Sequence, residues 1–598
     1  MICLEQGWTE AQRIWWYTTT QGSRLVPLSW ALALETEADN SPAFGDSHLN
    51  DLGYLRNPVS GINPYGLPVG FAVDTDASSG ADIMCDTFPE MCRAGTMREP
   101  WIGLNCAACH TNEYEFGGKR LRVEGAPGLA DFDRLINGTE AALRETLAQP
   151  DRFTRFSSSV LNGRRDLDTL QSLRRQMEEQ IAWFEKLRLT NGDRVHAGPA
   201  RLDAQGHILT KVSYINGTTP SPGEIQSDAP VSYPHIWNTH QQDILQWNGI
   251  APRLLKIELI PGRPVELGAL IRNTSEVIGV FGQIDASRGK AWSGYENSIR
   301  VGHLISMERQ LATLNSPAWP AEIFGDIDPA LAEIGKGLFE THCQECHAPL
   351  ARGDLVTEIS VHMEPLRTAG TDIFLACNTY LRQGDAGNMA GQSTLGWVGE
   401  EIEEVDFIHK MLVNAATGAI IENRYDVLKS IFADSRSRSR GVREAGGPVG
   451  DIEYLPDVRD PQKKAQAEIC LNEKHPLLRY KARPLNGIWA TAPYLHNGSV
   501  PTLYDLLLPA KARNIKTATT PVASEPTRPE SFGVGGRIFD TVKVGFSTAE
   551  TDNPWMFRVR DDEGFIIPGN SNAGHDEYGE AGFTHDQRMA IVEYLKSL

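Results

Sequence analysis

Two short strings carry the chemistry: Cys106-Ala107-Ala108-Cys109-His110 and Cys343-Gln344-Glu345-Cys346-His347. Each is a C-x-x-C-H, a spacing that lets two thiols add to the vinyl groups of one haem while the adjacent imidazole becomes an axial ligand of its iron. With 9 Cys and 15 His in 598 residues, two chance occurrences are not expected. The strings therefore predict two covalently bound haem c groups, held by Cys106, Cys109 and His110 and by Cys343, Cys346 and His347. A zinc site of four thiolates would need both pairs close together, and the strings lie far outside the usual ligand spacing. A thioredoxin-like pair does not call for a His after its second Cys.

What such a haem does depends on the opposite face of its iron. After His110 the next His is His196 and the first Met is Met177, so the first string predicts an open distal position, fit for dioxygen or peroxide. The second has two candidates for a sixth ligand, His575 in the glycine-rich Gly569–His575 loop and His496 in Ala490–Ser499. His575 is preferred as the ligand and His496 as a neighbouring hydrogen-bonding group. Between the strings, Tyr233-Pro234-His235-Ile236-Trp237-Asn238 and Ile244-Leu245-Gln246-Trp247-Asn248-Gly249 set two Trp in a polar, turn-rich stretch. Each Trp is either core or part of a wall above the open haem.

These groups must be positioned by helices and loops. Residues 329–339 read as a helix with Leu331, Ile334, Leu338 and Phe339 on one face, with Gly335 and Gly337 allowing close approach, and the second string follows at once. Thr584-His585-Asp586-Gln587 is a capping box opening a last helix whose stripe runs through Ile591, Leu595 and Leu598. First and last helices cross beside the haem in cytochromes c, so a C-terminal haem domain over 328–598 follows, with inserted loops at 434–440 and 516–536. Residues 1–327 form the other expected domain. There Thr9-Glu10-Ala11-Gln12 is another capping box, 129–147 and 165–188 read as amphipathic helices, and Met177 belongs to a core stripe. The fold class expected is mainly α with extensive loops: two cytochrome c-like haem domains with large insertions and few short strands.

Composition is that of a globular protein, 41% apolar and 22% charged. No run of about 20 apolar residues is present, which leaves no expected membrane span. A formal charge of −20, made more negative by haem propionates, argues against nucleic acid as a partner. Covalent haem attachment resembles bacterial maturation outside the inner membrane, so a periplasmic or secreted chain is expected. The opening Met1-Ile2-Cys3-Leu4-Glu5 shows no basic or apolar signal region, and a signal peptide is expected to be missing from this sequence. An oxidising compartment allows a Cys85–Cys92 ring and a Cys377–Cys470 pair, leaving Cys3 over; buried free thiols are the alternative.

The segment Trp489 to Leu503, with Ala492-Pro493-Tyr494-Leu495-His496-Asn497-Gly498, resembles the A-P-Y-x-H-x-G segment of the bacterial dihaem cytochrome c peroxidase superfamily. Within it the chain is similar to rubber oxygenases and dihaem fatty-acid dioxygenases. The matching pieces are Gln21-Gly22-Ser23 with Pro27 to Leu34, Gly125 to Phe132, Trp247-Asn248-Gly249, Arg272-Asn273, Gly279-Val280-Phe281 and Gly569 to His575. The resemblance implies His110 as proximal ligand of an oxygen-binding haem, His347 and His575 on the two faces of the second, and Trp237 as a distal Trp beside bound oxygen.

Three functions follow as expectations. The first is a dioxygenase acting with dioxygen on an apolar unsaturated substrate, a fatty acid or polyisoprene, in a cleft without a nearby acid. The second is a peroxide reductase fed by a redox partner protein, with Glu113 and Glu115 as candidate acid/base groups or, more simply, solvated carboxylates. The third is an electron carrier with both irons closed by protein ligands.

Overall fold

The computed structural model describes residues 1–75, 83–192, 196–221, 223, 225–252, 256–260, 263–287, 289–433, 442–444, 455–511, 526–548, 555–575 and 582–598. The expected loop at 434–440 and the 516–525 part of the second loop lie outside them. Of the described residues 41% are helical, and among them no sheet exceeds three strands. The expected helix-rich class with few short strands holds.

Local signals set several helix starts. Thr9 and Thr584 each form the full capping box, with Gln12 and Gln587. Asp328 accepts from Ala330 N and Leu331 N, and Pro329 opens the helix Pro329–His342 where no amide hydrogen is required. The amphipathic stretches become helices Phe132–Ala148 and Leu167–Asn191. Met177 is fully buried in an apolar cluster, a core residue.

The helix Pro329–His342 crosses the last helix, His585–Ser597, and Gly335 is the contact point. A Cβ there would lie 1.9 Å from the Ala590 carbonyl oxygen, so only glycine permits this approach. Phe339 and Tyr594 rings meet at 5.2 Å beside the crossing. Two expectations fail. Gly337 faces nothing within 4 Å, and Ile334 is 59% exposed, whereas Gly335 and Phe339 on the neighbouring face are buried.

The first string is built otherwise. A strand, Trp101–Leu104, precedes it, the string turns through the short 3-10 helix Cys106–Ala108, and an antiparallel hairpin, Thr111–Phe116 with Lys119–Glu124, follows. Among the described residues the cytochrome c-like helix pair surrounds the second string alone. Residues 1–327 and 328–598 also share one core. Tyr114 of the hairpin stacks on Phe546 at 5.5 Å and donates its hydroxyl to Ala490 O at 2.7 Å. Trp489 packs against Trp319 and Phe324 at 5.6 and 5.7 Å. Such aromatic contacts contribute about 0.5–1.5 kcal/mol each beyond their burial.

Both expected disulfides are present, Cys85–Cys92 and Cys377–Cys470, while Cys3 is free and exposed. The second spans 93 residues, for which the chain-entropy model gives about 4–5 kcal/mol.

The helix crossing yields a paired test. Alanine at a helical glycine ordinarily adds about 0.5–1 kcal/mol, and G337A should do so. G335A should instead lower stability by about 1–3 kcal/mol, since the backbones must separate. Urea unfolding of the two variants checks the opposite signs.

Candidate haem-binding cleft

The first string is held by its flanks. Asn105 caps the turn through Ala107 N (2.9 Å) and ties it to Trp16 O and Thr19 O (3.0 and 2.8 Å). Gly70, with φ +83°, lies so close that a Cβ would sit 2.0 Å from Ala108 N. Burial pushes the Cys106 and Cys109 thiols up to about 12. Among the described residues no three of His, Cys, Asp and Glu form a metal-holding cluster, so the two cysteine pairs do not build a shared tetrathiolate.

Both string histidines share one arrangement. His110 Nδ1 donates to Pro234 O at 2.8 Å, and His347 Nδ1 donates to Arg483 O at 2.7 Å. A carbonyl can only accept, so each ring carries its proton on Nδ1 and its lone pair on Nε2, the tautomer of an axial ligand. Burial lowers both, His110 to about 4, so the rings are neutral at pH 7.

Opposite His347 stands His575, with ring centres 6.1 Å apart and planes tilted by 33°. A metal bonded at about 2 Å to one nitrogen of each ring, with about 1 Å more to each ring centre, requires about 6 Å. The spacing fits one iron between them. The loop carrying His575 is clamped from within. Arg528, 1% exposed, donates to the carbonyls of Asn572, Gly574 (2.6 Å) and His575 (3.0 Å). Arg201 holds Gly569 O at 2.9 Å and Asn497 holds Ser571 O at 2.8 Å. His575 itself adopts φ +57°, a strained conformation for a residue with a side chain. His496 does not face His347. It is buried between Tyr480 (4.2 Å) and Trp247 (6.3 Å), with Nε2 unpartnered and its basicity lowered by burial to about 3.

His110 lines a cleft with about 1320 Å³ of atom-free space, open mouth included. Its apolar wall includes Leu104, Leu202, Ile208, Leu245, Leu304 and Leu311. Trp247 lines it as well; Trp237 does not. Trp237 is fully buried, stacked on His235 at 4.7 Å and donating Nε1 to Asn486 O at 2.7 Å. Trp237 thus lies outside the cleft lining, whereas Trp247, beyond the turn at Asn238 (φ +61°) and the 3-10 segment Thr239–Gln241, is part of it.

The acid/base expectation also changes. Glu113 is neither solvated nor in the cleft; it is buried and paired with Arg122 at 2.6 Å. Glu115 is half-exposed on the hairpin, 3.9 Å from Arg120. The carboxyls in the cleft are Glu276 and Glu308, so the expected absence of a nearby acid does not hold. Helix Leu267–Gly279 sets Arg272 and Glu276 one turn apart on one face. Arg272 pairs with Glu308 at 3.0 Å, Gln246 donates to Glu276, and burial raises the Glu276 carboxyl above its usual range. Sequence reasoning missed Glu276 and Glu308; the one signal nearby was Arg272-Asn273.

Two cations complete the cleft. Lys481 donates to Gln242 Oε1 (2.8 Å) and Ile244 O (3.1 Å), and Arg483 is fully buried with Nε unpartnered. Neither makes an ion pair among the described residues, and burial lowers Arg483 to about 9 and Lys481 further below its ordinary value. Desolvated cations without counter-charges are costly. The two propionates of a haem supply such charges, so the residues present fit the group on both the attachment side and the anionic side.

A comparison with protein families matches part of this region. A RoxA-like, cytochrome c-like segment is present. The family model so described matches residues 479–515, the stretch that carries Lys481, Arg483, Trp489, His496 and Asn497. Over its whole length the chain is similar to uncharacterized protein y4iJ of Sinorhizobium fredii, at 28% identity covering 100% of this chain and 93% of the relative. It is also similar to uncharacterized protein y4iM of the same organism, at 25% identity covering 61% of this chain and 59% of that protein.

The clamp on the His575 loop is testable. R528Q should release the carbonyls of Leu506, Asn572, Gly574 and His575 and let His575 leave its position. In the holoprotein one haem should then change from low-spin to high-spin, seen by electron paramagnetic resonance and by new carbon monoxide binding after reduction.

Proposed function

We propose that this protein is a dihaem c-type oxygenase that adds dioxygen to an unsaturated apolar substrate, a fatty acid or a polyisoprene, in the cleft beside His110. The carrying observation is the asymmetry of the two string histidines: His347 faces a second imidazole at 6.1 Å, whereas His110 faces a cleft walled by leucines and Trp247. The RoxA-like segment supports the same reading. In this view 1–327 supplies the reactive cleft and 328–598 the closed, electron-tuning site.

Haem at the first string would supply the activation of dioxygen. The chain's own residues supply the rest. Pro234 holds His110 oriented, and burial keeps its ring neutral. Leu104, Leu202, Ile208 and Leu304 exclude water and bring an alkene within reach by apolar contact alone, a positioning that accounts for much of such a rate. Arg272 and Glu308 neutralise each other at 3.0 Å, leaving no net charge there to repel a hydrocarbon. Export to the periplasm or beyond is supported by the two disulfides.

One observation favours a second reading, a peroxide reductase: Glu276 is a buried carboxyl in the same cleft. A carboxylate can take a proton from peroxide and return it to the departing oxygen. Its raised pKa means that the active, ionised form accumulates only above the usual carboxyl range.

Oxygen uptake with oleate, linoleate or polyisoprene, set against peroxide turnover with a reduced cytochrome donor, separates the two. For the oxygenase, lipid-dependent uptake is expected, with E276Q retaining it within about threefold. For the reductase, E276Q should lose on the order of 10²-fold, and wild-type turnover should rise with pH through a value above the ordinary carboxyl range. Absence of uptake with all three substrates overturns the first reading.

A further inference from the structure

The two string histidines are not anchored independently. Pro234, whose carbonyl accepts from His110 Nδ1 at 2.8 Å, is followed directly by His235, and the His235 carbonyl accepts from Arg483 Nη2. The carbonyl of that same Arg483 accepts from His347 Nδ1 at 2.7 Å. One residue thus contributes its side chain to the segment that orients His110 and its backbone to the ring of His347. We propose that Arg483 is a positioning residue shared by the two haem sites, setting both proximal imidazoles at once and so coupling their redox properties.

Three features make this more than a chance pair of contacts. Arg483 is buried to 5% exposure, so its charge is poorly screened by solvent and is felt at the His110 ring. The segment around it is rigidly placed: Lys481 N donates to Trp247 O and Ala482 N to His362 O, each at 2.9 Å. A second link runs parallel to the first, since Trp237 reaches from the 234–237 segment to Asn486 O at 2.7 Å. Movement of the 483–486 segment must therefore shift the carbonyls beneath both rings. Partners of a ligating imidazole's second nitrogen tune its basicity and the metal's potential, and a nearby cation favours the reduced iron of each couple.

The proposal rests on the dihaem reading, and its test keeps the two apart. The mass of the intact wild-type holoprotein reports how many haems are attached; a single haem overturns both. With two attached, potentiometric titration and paramagnetic resonance are run on wild type, R483Q, R483K and the exposed nearby control R479Q. R483Q should lower both midpoint potentials and move the resonance signals of both haems, R483K should recover part of the shift in potential by restoring the charge, and R479Q should leave both at wild-type values. A change confined to one haem, no change at either, or an equal change in R479Q overturns the role of Arg483. If R483Q yields no folded holoprotein, R483K is read by the same criterion, both haems displaced or the proposal falls.

Discussion

The constraint on which the site depends is a pair of hydrogen bonds from imidazole Nδ1 to backbone carbonyls, His110 to Pro234 and His347 to Arg483. A C-x-x-C-H string alone leaves its imidazole free to rotate and to carry its proton on either nitrogen. A buried carbonyl removes both freedoms, because it accepts and cannot donate. Much of the surrounding architecture serves to place those two carbonyls. The 234–237 segment is held against the 482–486 segment through Trp237 and Asn486, and that segment's start is held where Lys481 N and Ala482 N donate to Trp247 O and His362 O.

Charge burial follows from the same packing. Lys481, Arg483, Arg201 and Arg528 are all deeply buried, an arrangement that a chain this acidic does not need for solubility. Arg201 and Arg528 are consumed by carbonyls of the Gly569–His575 loop, where their multiple donors replace hydration and stiffen a strained turn. Lys481 and Arg483 have fewer partners and face the cleft. Their lowered basicity expresses the cost of desolvation, which an anionic group seated in the cleft offsets.

The shared aromatic core explains why the two strings do not define separable halves. Tyr114 follows the first string by four residues and packs on Phe546 and Trp489, so the first hairpin and the segment near the RoxA-like match are buried by each other. A boundary at 327/328 marks where the cytochrome c-like helix begins, without marking where packing ends.

Features read from short stretches of sequence carried through: both capping boxes, the two amphipathic helices, Met177 as core, and the Gly335 crossing all follow from nearest-neighbour spacing and backbone sterics. The glycine-rich loop before the last helix brings His575, the preferred candidate ligand, to 6.1 Å from the His347 ring. Trp237, Glu113 and Ile334 were misplaced because their environments are made by distant segments. Trp237 faces Asn486, Glu113 faces Arg122 across a hairpin, and Ile334 is exposed whereas Gly335 and Phe339 on the neighbouring face are buried. By itself the sequence determined the two spacings on which covalent haem attachment is proposed, because thiol spacing and an adjacent His are local facts. Which string opens on a cleft, which acid enters it and how one arginine reaches both histidines were decided only by tertiary structure, because a side chain's partner across hundreds of residues is set by packing and leaves no periodic trace.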